Sequence, residues 1–464
     1  MRAAIASIVL LANLGFSDTG PPPVLPAGLG SETSSGSKTE NSEPSLPMGL
    51  GSIGEPAQTD APNPTISKSV NQKLQFTGFL EARYGIRLQS DPFAETESLN
   101  ELRLQTRLSG NQGSLNYRFT QDWILDGLAT DRSIDLNTGQ GWIDLREAWL
   151  SGQPTSFIDI KAGRQIATWG TGDLLFISDL FPKDWQALIL GRDEEYLKAP
   201  SDAIKASLYH DWMNLDIVYT PEFDADRFIT GERLSYFDPS IGSLSGKPNL
   251  VQADYPSAPE WAARANRVFG NAEIALYYYR GYWKQPAGSD LDSGLAIFPR
   301  LENLSASWRQ SLAGGLFNIE FGHYDSIDDP HGDLQNIRNS ETRLILGYEH
   351  ELAKNLTGSA QYYVERISDY ESALTNALIA DRNRHVFTAR ITQQLRMQTL
   401  QLSLFAFYSP SDQDGYLRPN IRYAIDDQWG ASLGGNLFFG KDKRTFFGQL
   451  ENNTNAYLSL RCSY

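Results

Sequence analysis

The stretch Glu101-Leu102-Arg103-Leu104-Gln105-Thr106-Arg107-Leu108 reads in steps of two. Leu102, Leu104, Thr106 and Leu108 fall on one side of an extended chain, and Glu101, Arg103, Gln105 and Arg107 on the other. One face suits hydrocarbon and the other carries charge. The same alternation returns from Phe76 to Leu88, Ile204 to Leu208, Phe317 to Phe321, Leu344 to Glu349, Leu400 to Ala406 and Trp429 to Leu437. A soluble β-sandwich has no reason to turn large apolar residues outward on so many strands. A strand rises about 3.3 Å per residue, so roughly ten tilted residues cross a bilayer core. Segments of that length begin near Lys73, Leu99, Ser114, Trp142, Phe157, Ile204, Met213, Trp261, Ala272, Leu301, Leu316, Thr342, Leu356, His385, Leu400, Leu417, Trp429 and Asn455. The pattern predicts an all-β fold, a transmembrane antiparallel up-and-down β-barrel of about eighteen strands. Sixteen stays open, because Trp142–Leu150 breaks the alternation at Glu147, where a bulge would absorb one residue.

The connections set the topology. Tight turns at Asn111-Gln112-Gly113, His210-Asp211-Trp212, Phe269-Gly270-Asn271, Ala313-Gly314-Gly315, Ala353-Lys354-Asn355 and Asp426-Asp427-Gln428 alternate with long loops. The long loops lie near 126–140, 169–202, 220–259, 284–299, 326–340, 368–383 and 439–454. Short inner turns and long outer loops mark barrels of the Gram-negative-type outer membrane. They put the N- and C-termini in the periplasm and require an even strand number. In the last segment, Ala456, Leu458, Leu460, Cys462 and Tyr464 alternate with Tyr457, Ser459, Arg461 and Ser463. An aromatic end of this kind resembles the signal that the barrel assembly machinery reads in porins, with Tyr in place of the usual Phe. Trp123, Trp142, Trp169 and Trp283 fall near outer ends, and Trp149, Trp212 and Trp429 near inner ends, as two aromatic girdles would.

Composition agrees with strands and turns: 22 Phe, 21 Tyr and 39 Gly stand against 4 Met and a single Cys. Cys462 has no partner in the chain, which excludes a disulfide scaffold and a cysteine zinc site. The mean hydropathy is negative, as expected when only alternate residues meet lipid. A net charge of −16 disfavours nucleic acid as a partner. Met1-Arg2 followed by an apolar run to Ala12, with Gly15 and Ser17 beyond, reads as a signal peptide over 1–17. Residues 18–72 are rich in Pro, Gly, Ser and Thr and cannot bury a core, so a disordered periplasmic arm is expected before a barrel over 73–464. Within that arm Val24-Leu25-Pro26-Ala27-Gly28-Leu29-Gly30 is echoed by Ser45-Leu46-Pro47-Met48-Gly49-Leu50-Gly51. The repeats read as linker or as a docking motif for a periplasmic protein.

No catalytic or metal motif emerges, and no cofactor is expected. The five histidines form no His-Glu-x-x-His, and no Gly-x-Ser-x-Gly occurs. His323 with Asp325 and Ser326 is the one hydrolase-like grouping. Asp325, Asp328, Asp329 and Asp333 crowd one loop and could bridge divalent ions, although solvated Asp-rich turns are the plainer reading. The lumen says more. By parity Arg83, Arg87, Arg103, Arg107 and Arg118 point inward from the first three strands, Arg390 from the fourteenth, and Arg418, Arg422 and Arg461 from the sixteenth and eighteenth. Closure of the barrel gathers them on one wall. Glu320, Glu349 and Glu365 lie elsewhere on the circumference. Opposed charges across a pore steer ions, so the wall favours anionic or carboxylated solutes, unless nearby acids, among them Glu81, Glu101 and Asp122, pair with the arginines and cancel much of the effect. The loop 169–202 contains Asp173-Leu174-Leu175-Phe176-Ile177-Ser178-Asp179-Leu180-Phe181-Pro182. That apolar content is unfavourable in water and should fold into the lumen as a constriction or plug. The polar, Pro-rich loop 220–259 reads as a lid.

Gly163-Arg164-Gln165-Ile166-Ala167-Thr168-Trp169-Gly170, followed by Asp179 and Pro182, resembles the Gly-Arg-Gln…Trp-Gly…Asp…Pro stretch of the alginate-export-like porins. Related barrels occur in porin–cytochrome conduits. The resemblance covers about twenty residues and implies an eighteen-strand channel with a basic lumen. It nominates Arg164 and Gln165 for the pore mouth, with the inward one of the two left open; Trp169, Asp173 and Asp179 of loop 169–202 are the residues expected at the mouth or constriction. The function expected is a channel for small polar, anionic solutes, in contact with outer-membrane lipid and lipopolysaccharide. The alternative is a sheath for separate electron-carrying cytochromes. A surface adhesin or phage receptor could coexist with transport, and no plug domain of the TonB-dependent kind precedes the barrel. If the tail repeats dock a periplasmic protein, the excised tail should retain it in a pull-down and lose it on replacing Leu25, Leu29, Leu46 and Leu50; unchanged retention makes the repeats plain linker.

Overall fold

Alternating side chains leave each strand with one apolar face, and its backbone groups must find partners on both edges. In the computed structural model, which describes residues 74–129, 133–139, 141–370 and 381–464, eighteen antiparallel strands meet this demand by closing on themselves. The expected signal peptide and the whole of the expected arm, with both tail repeats, lie outside the described residues. The strands are β1 Gln75–Arg87, β2 Glu97–Gln112, β3 Leu115–Asp126, β4 Ile143–Thr155, β5 Ile158–Gln165 and β6 Ser201–His210. They continue as β7 Met213–Thr220, β8 Glu260–Phe269, β9 Ala272–Tyr282, β10 Arg300–Leu312, β11 Gly315–Ser326 and β12 Glu341–Ala353. β13 Leu356–Ile367, β14 Asn383–Leu395, β15 Leu400–Ser409, β16 Asp414–Ala424, β17 Trp429–Gly440 and β18 Asn455–Ser463 complete the circuit. Each expected segment is a strand whose first residue lies within three positions of the expected one. The sixteen-strand alternative is thereby excluded. Among the described residues no helix is long and apolar enough to cross a membrane.

Each strand pairs with its sequence neighbour, and β18 returns to β1 with Arg461 opposite Glu81 and Leu460 opposite Ala82. Tyr464 fastens the seam: its backbone exchanges hydrogen bonds with Gly78, and its ring lies against Phe76 at 5.7 Å. Turns at 113–114, 156–157, 211–212, 270–271, 313–314 and 354–355 lie at one end, with both termini of the barrel. The long connections lie at the other, among them 166–200, 221–259 and 441–454.

The expected break at Glu147 is a bulge. Thr120 pairs with Glu147 but Gln121 pairs with Leu145, so Arg146 is the extra residue and Arg146 and Glu147 are both buried. The girdles are partly as expected. Trp123, Trp142 and Trp212 are exposed, whereas Trp283 stacks on Tyr324 at 5.6 Å and Trp169 packs on Phe181 at 4.8 Å inside the barrel. Trp149 also turns inward. Trp149 and Trp283 follow the inward parity of their strands, which overrides position along the strand, and Trp169 is carried inside by the connection 166–200.

Gly163 shows how tightly β4 and β5 approach. Its φ is +118°, and a Cβ there would lie 2.3 Å from the Ala148 carbonyl oxygen. Gly163→Ala should therefore destabilise the barrel by about 1–3 kcal/mol. The readout is a lower temperature for loss of the compact band on a heat-modifiability gel; an unchanged temperature means that the β4–β5 approach is loose.

Candidate functional site

The connection from β5 to β6 does not leave the barrel. It crosses the lumen and touches the wall nearly all round. Its first part docks on β11 to β14. The Glu320 carboxylate accepts from the Thr171 amide at 2.7 Å and the Ser178 amide at 2.6 Å. Tyr324 donates to the Ile177 carbonyl at 2.6 Å, and the Asp173 amide donates to Gln361. Arg390 grips Asp173 in a fork, at 2.6 and 2.9 Å. Leu175, Ile177 and Phe181 join an interior cluster with Leu99, Tyr324, Ile345 and Val386. Burial of each such side chain contributes about 1.5–3 kcal/mol, which keeps this apolar stretch inside.

The loop then forms one short α-helix, α1, Trp185–Leu190, followed by a 3-10 turn over Glu194–Leu197. Asp184 caps the start of α1 by accepting from the Ala187 amide at 2.7 Å, and Gly191 ends it in the left-handed region. No Cβ would fit at Gly191, where the Tyr457 ring lies 2.2 Å away. A helix leaves its last carbonyls without partners. Here the wall supplies the donors. Arg418 donates to the carbonyls of Leu188 at 3.1 Å and Arg192 at 2.8 Å. Asn436 and Asn455 donate to Ile189, and Arg83 to Gly191.

Beyond the helix comes an acidic turn. Asp193 sits between Arg83 at 2.8 Å, Arg461 at 2.7 Å and Arg422 at 3.4 Å. Glu194 meets Arg390 at 3.1 Å and Arg418 at 4.0 Å. Burial would raise the Asp193 carboxyl, but Arg83, Arg461 and Arg422 overcome it and hold the group well below the usual carboxylate range. Glu194 is lowered in the same way: burial opposes, and Arg390 and Arg418 prevail. For Asp173 burial wins over Arg390, and its carboxyl is raised. The loop closes its circuit on β2 to β4, where Arg192 pairs with Glu101 and the Tyr196 hydroxyl donates to Asp122 at 2.9 Å. The Tyr196 ring lies between Arg103 at 4.5 Å and Arg146 at 4.8 Å.

The connection 221–259 lies over α1 as a lid. Asp226 accepts from the Lys183 amide and the Trp185 indole, both at 2.8 Å. Arg227 joins Asp144 of the wall at 2.8 Å to Asp184 of the first loop at 3.2 Å. Ser235 and Phe237 bond onward to Asn453 and Gln449 in the last connection.

The inward arginines thus stand where parity placed them. Arg103 pairs with Asp122 at 2.6 Å, Arg87 donates to the backbone carbonyls of Glu95, Glu97 and Arg233, and Arg107 and Arg118 lie lower on the wall. Their partners differ from the expectation. Glu320 holds the loop and Glu365 pairs with Arg343 and Arg338, so neither opposes the arginine wall across open water. The wall supplies acids of its own, Glu81, Glu101 and Asp122, and the loop adds Asp193 and Glu194. Among the nominated mouth residues, Gln165 is the inward one and donates to the Ala203 carbonyl at 2.8 Å. Arg164 is not a lumen residue: it lies opposite Ala148 and Asp202 on the outer face, paired with Asp202 at 2.9 Å beneath the Leu136 carbonyl. Trp169, Asp173 and Asp179 lie on the loop that crosses the lumen, and Asp179 accepts from Thr168 and pairs with Lys183 at 2.9 Å. The hydrolase-like grouping does not assemble, since His323 and Asp325 face outward while Ser326 is buried inward. The Asp-rich loop is used up locally: Asp328 pairs with Arg300, and Asp329 accepts from the amides of Asp333 and Leu334.

Comparison with known proteins adds the fold. No family model matches the chain, and no curated protein matches its sequence. Solved structures do. Acinetobacter baumannii OccAB1 aligns with a TM-score of 0.51 at 9% identity, over 86% of this chain and 98% of that one. Acinetobacter baumannii OccAB3 gives 0.50 at 10%, over 84% and 99%, and Pseudomonas aeruginosa OpdO 0.50 at 10%, over 84% and 96%. The chain has the fold of outer-membrane porins. The alginate-export resemblance stays a resemblance.

Sequence reasoning missed the acidic turn, although Asp193-Glu194-Glu195 stood within a loop already expected to fold inward. It also missed a lower cluster on β3 to β8. There Arg118 and Lys161 flank the Trp149 ring at 5.5 and 4.2 Å, and Lys161 lies directly across from Lys205. Replacing Glu320 by Ala strands two loop amides in a buried site, at a cost of about 1–3 kcal/mol. Hydrogen exchange at Thr171 and Ser178 should accelerate while the strand amides stay protected; unaltered exchange at both would show that packing alone seats the loop.

Proposed function

We propose that the chain is a gated outer-membrane channel for small anionic solutes, with its termini in the periplasm and lipid and lipopolysaccharide around it. The observation that carries this reading is a polar lumen crossed by a loop held through side-chain contacts, not by strand pairing. Such a loop narrows the lumen and can shift without opening the barrel. The anionic preference draws on the lower lumen. Arg118, Lys161, Lys205 and Arg264 face it, against Glu147, Asp159 and Asp216. Like charges directly opposed across two strands are unfavourable, and an anion between Lys161 and Lys205 relieves them. The upper arginines contribute less to steering, because the loop's own carboxylates pair with them. The sheath reading loses ground for a spatial reason: loop 166–200 occupies the cross-section that a separate electron carrier would need.

Reversal potentials in a planar bilayer under a salt gradient test the selectivity. The wild type should favour chloride over potassium, and Lys161→Gln with Lys205→Gln should move the potential toward the cation side. A wild type that prefers cations removes the anionic reading.

A further inference from the structure

We propose that Asp193 and Glu194 are a tethered competitor: they occupy an arginine site on the lumen wall that takes a small dicarboxylate, and the arriving solute displaces them. This rests on the channel reading above and names the ligand class and the regulation of the same constriction.

The site is built by the barrel and filled by the loop. Arg83 of β1, Arg390 of β14, Arg418 and Arg422 of β16 and Arg461 of β18 all come from strands whose positions the ladder fixes. Glu81, Asp173 and Glu195 also reach these arginines, so five cations meet five carboxylates when the turn is seated. Withdrawing the turn alone would leave buried guanidinium groups without counter-charge, which is costly. A solute that brings two carboxylates restores the balance; a single one restores half of it.

The two kinds of attachment differ in access. Arg83 and Arg418, which bind the carbonyls of the helix end and also reach Asp193 and Glu194, are 3% and 5% exposed. Arg422 is 36% exposed and Glu194 25%, so the carboxylate side of the turn can be approached from the lumen. The ligand need not unseat α1 first. A tethered group acts at an effective concentration on the order of millimolar, so a free dicarboxylate must reach about that concentration to compete.

The test is hydrogen exchange of the full-length protein in detergent, with sodium succinate against sodium chloride at equal ionic strength. Succinate at millimolar levels should speed exchange over 191–197 by on the order of tenfold, as loss of a charge-assisted hydrogen bond implies. Strand amides should not change. The double variant D193N/E194Q should exchange fast without solute and gain nothing from it. Arg422→Gln, at the open edge of the site, should keep the barrel intact and need several-fold more succinate. Equal responses to succinate and chloride, or none to either, overturn the proposal and leave the turn as a fixed brace. Conductance on the same samples separates the two claims. Release of the turn with no conductance in any state upholds the competitor and removes the channel; conductance without release does the reverse.

Discussion

A polypeptide backbone shielded from water must find a partner for every N–H and C=O. That constraint closes the eighteen strands, since an open sheet would leave two edges of unpaired groups facing lipid. It also shapes the interior. A barrel of this girth encloses more space than its wall side chains fill, and the chain fills it with a loop whose own backbone is then buried. The carbonyls at the end of α1 have no water to turn to. Arg83, Arg418, Asn436 and Asn455 answer them from the wall.

The arginines therefore do two jobs. Their planar forks donate several hydrogen bonds at once, which suits them to backbone carbonyls and carboxylates together. A lysine at Arg418 would offer a point charge and could not span the carbonyls of Leu188 and Arg192 while facing Glu194. The same chemistry explains the charge of the loop. Buried arginines need counter-charge, and Asp193 and Glu194 provide it from within the chain. The apolar part of the loop is held by other means, on the side where Tyr324, Ile345 and Val386 offer a dry surface.

Strand number, register ends and lumen parity were legible in the sequence because they depend on a period of two and on turn residues, both local. Arg83, Arg103, Arg390, Arg418 and Arg461 could be placed inward from their neighbours alone. The bulge at Arg146 was legible only as a break in pattern, since the residue that slips is decided by the partner strand. Arg164 escaped because it stands next to the end of a short strand, where the count of two has little left to anchor it. Glu81, Glu101 and Asp122 were legible as partners of the arginines because they stand on the same or adjacent strands, but the acids of the loop were not. Asp193 lies more than a hundred residues from Arg83 and farther still from Arg461, and nothing local marks such a pairing. The aromatic girdles misled at Trp149 and Trp283 for a related reason: distance along a strand was known, and facing was given too little weight.

The seam between β1 and β18 has a bearing on the order of events in assembly. Arg461 and Glu81 meet across 380 positions of chain. Asn436 and Asn455 reach Ile189 across 247 and 266 positions. The wall that receives α1 is complete only when the last two strands stand beside β1, so α1 cannot be fully seated before they do. Its seating and the sealing of the barrel use neighbouring residues of β18, Asn455 for the helix and Arg461 for both seam and turn. The lumen is thus furnished in the same step that shuts it, and a chain lacking its last strand would lose both the wall and the stopper.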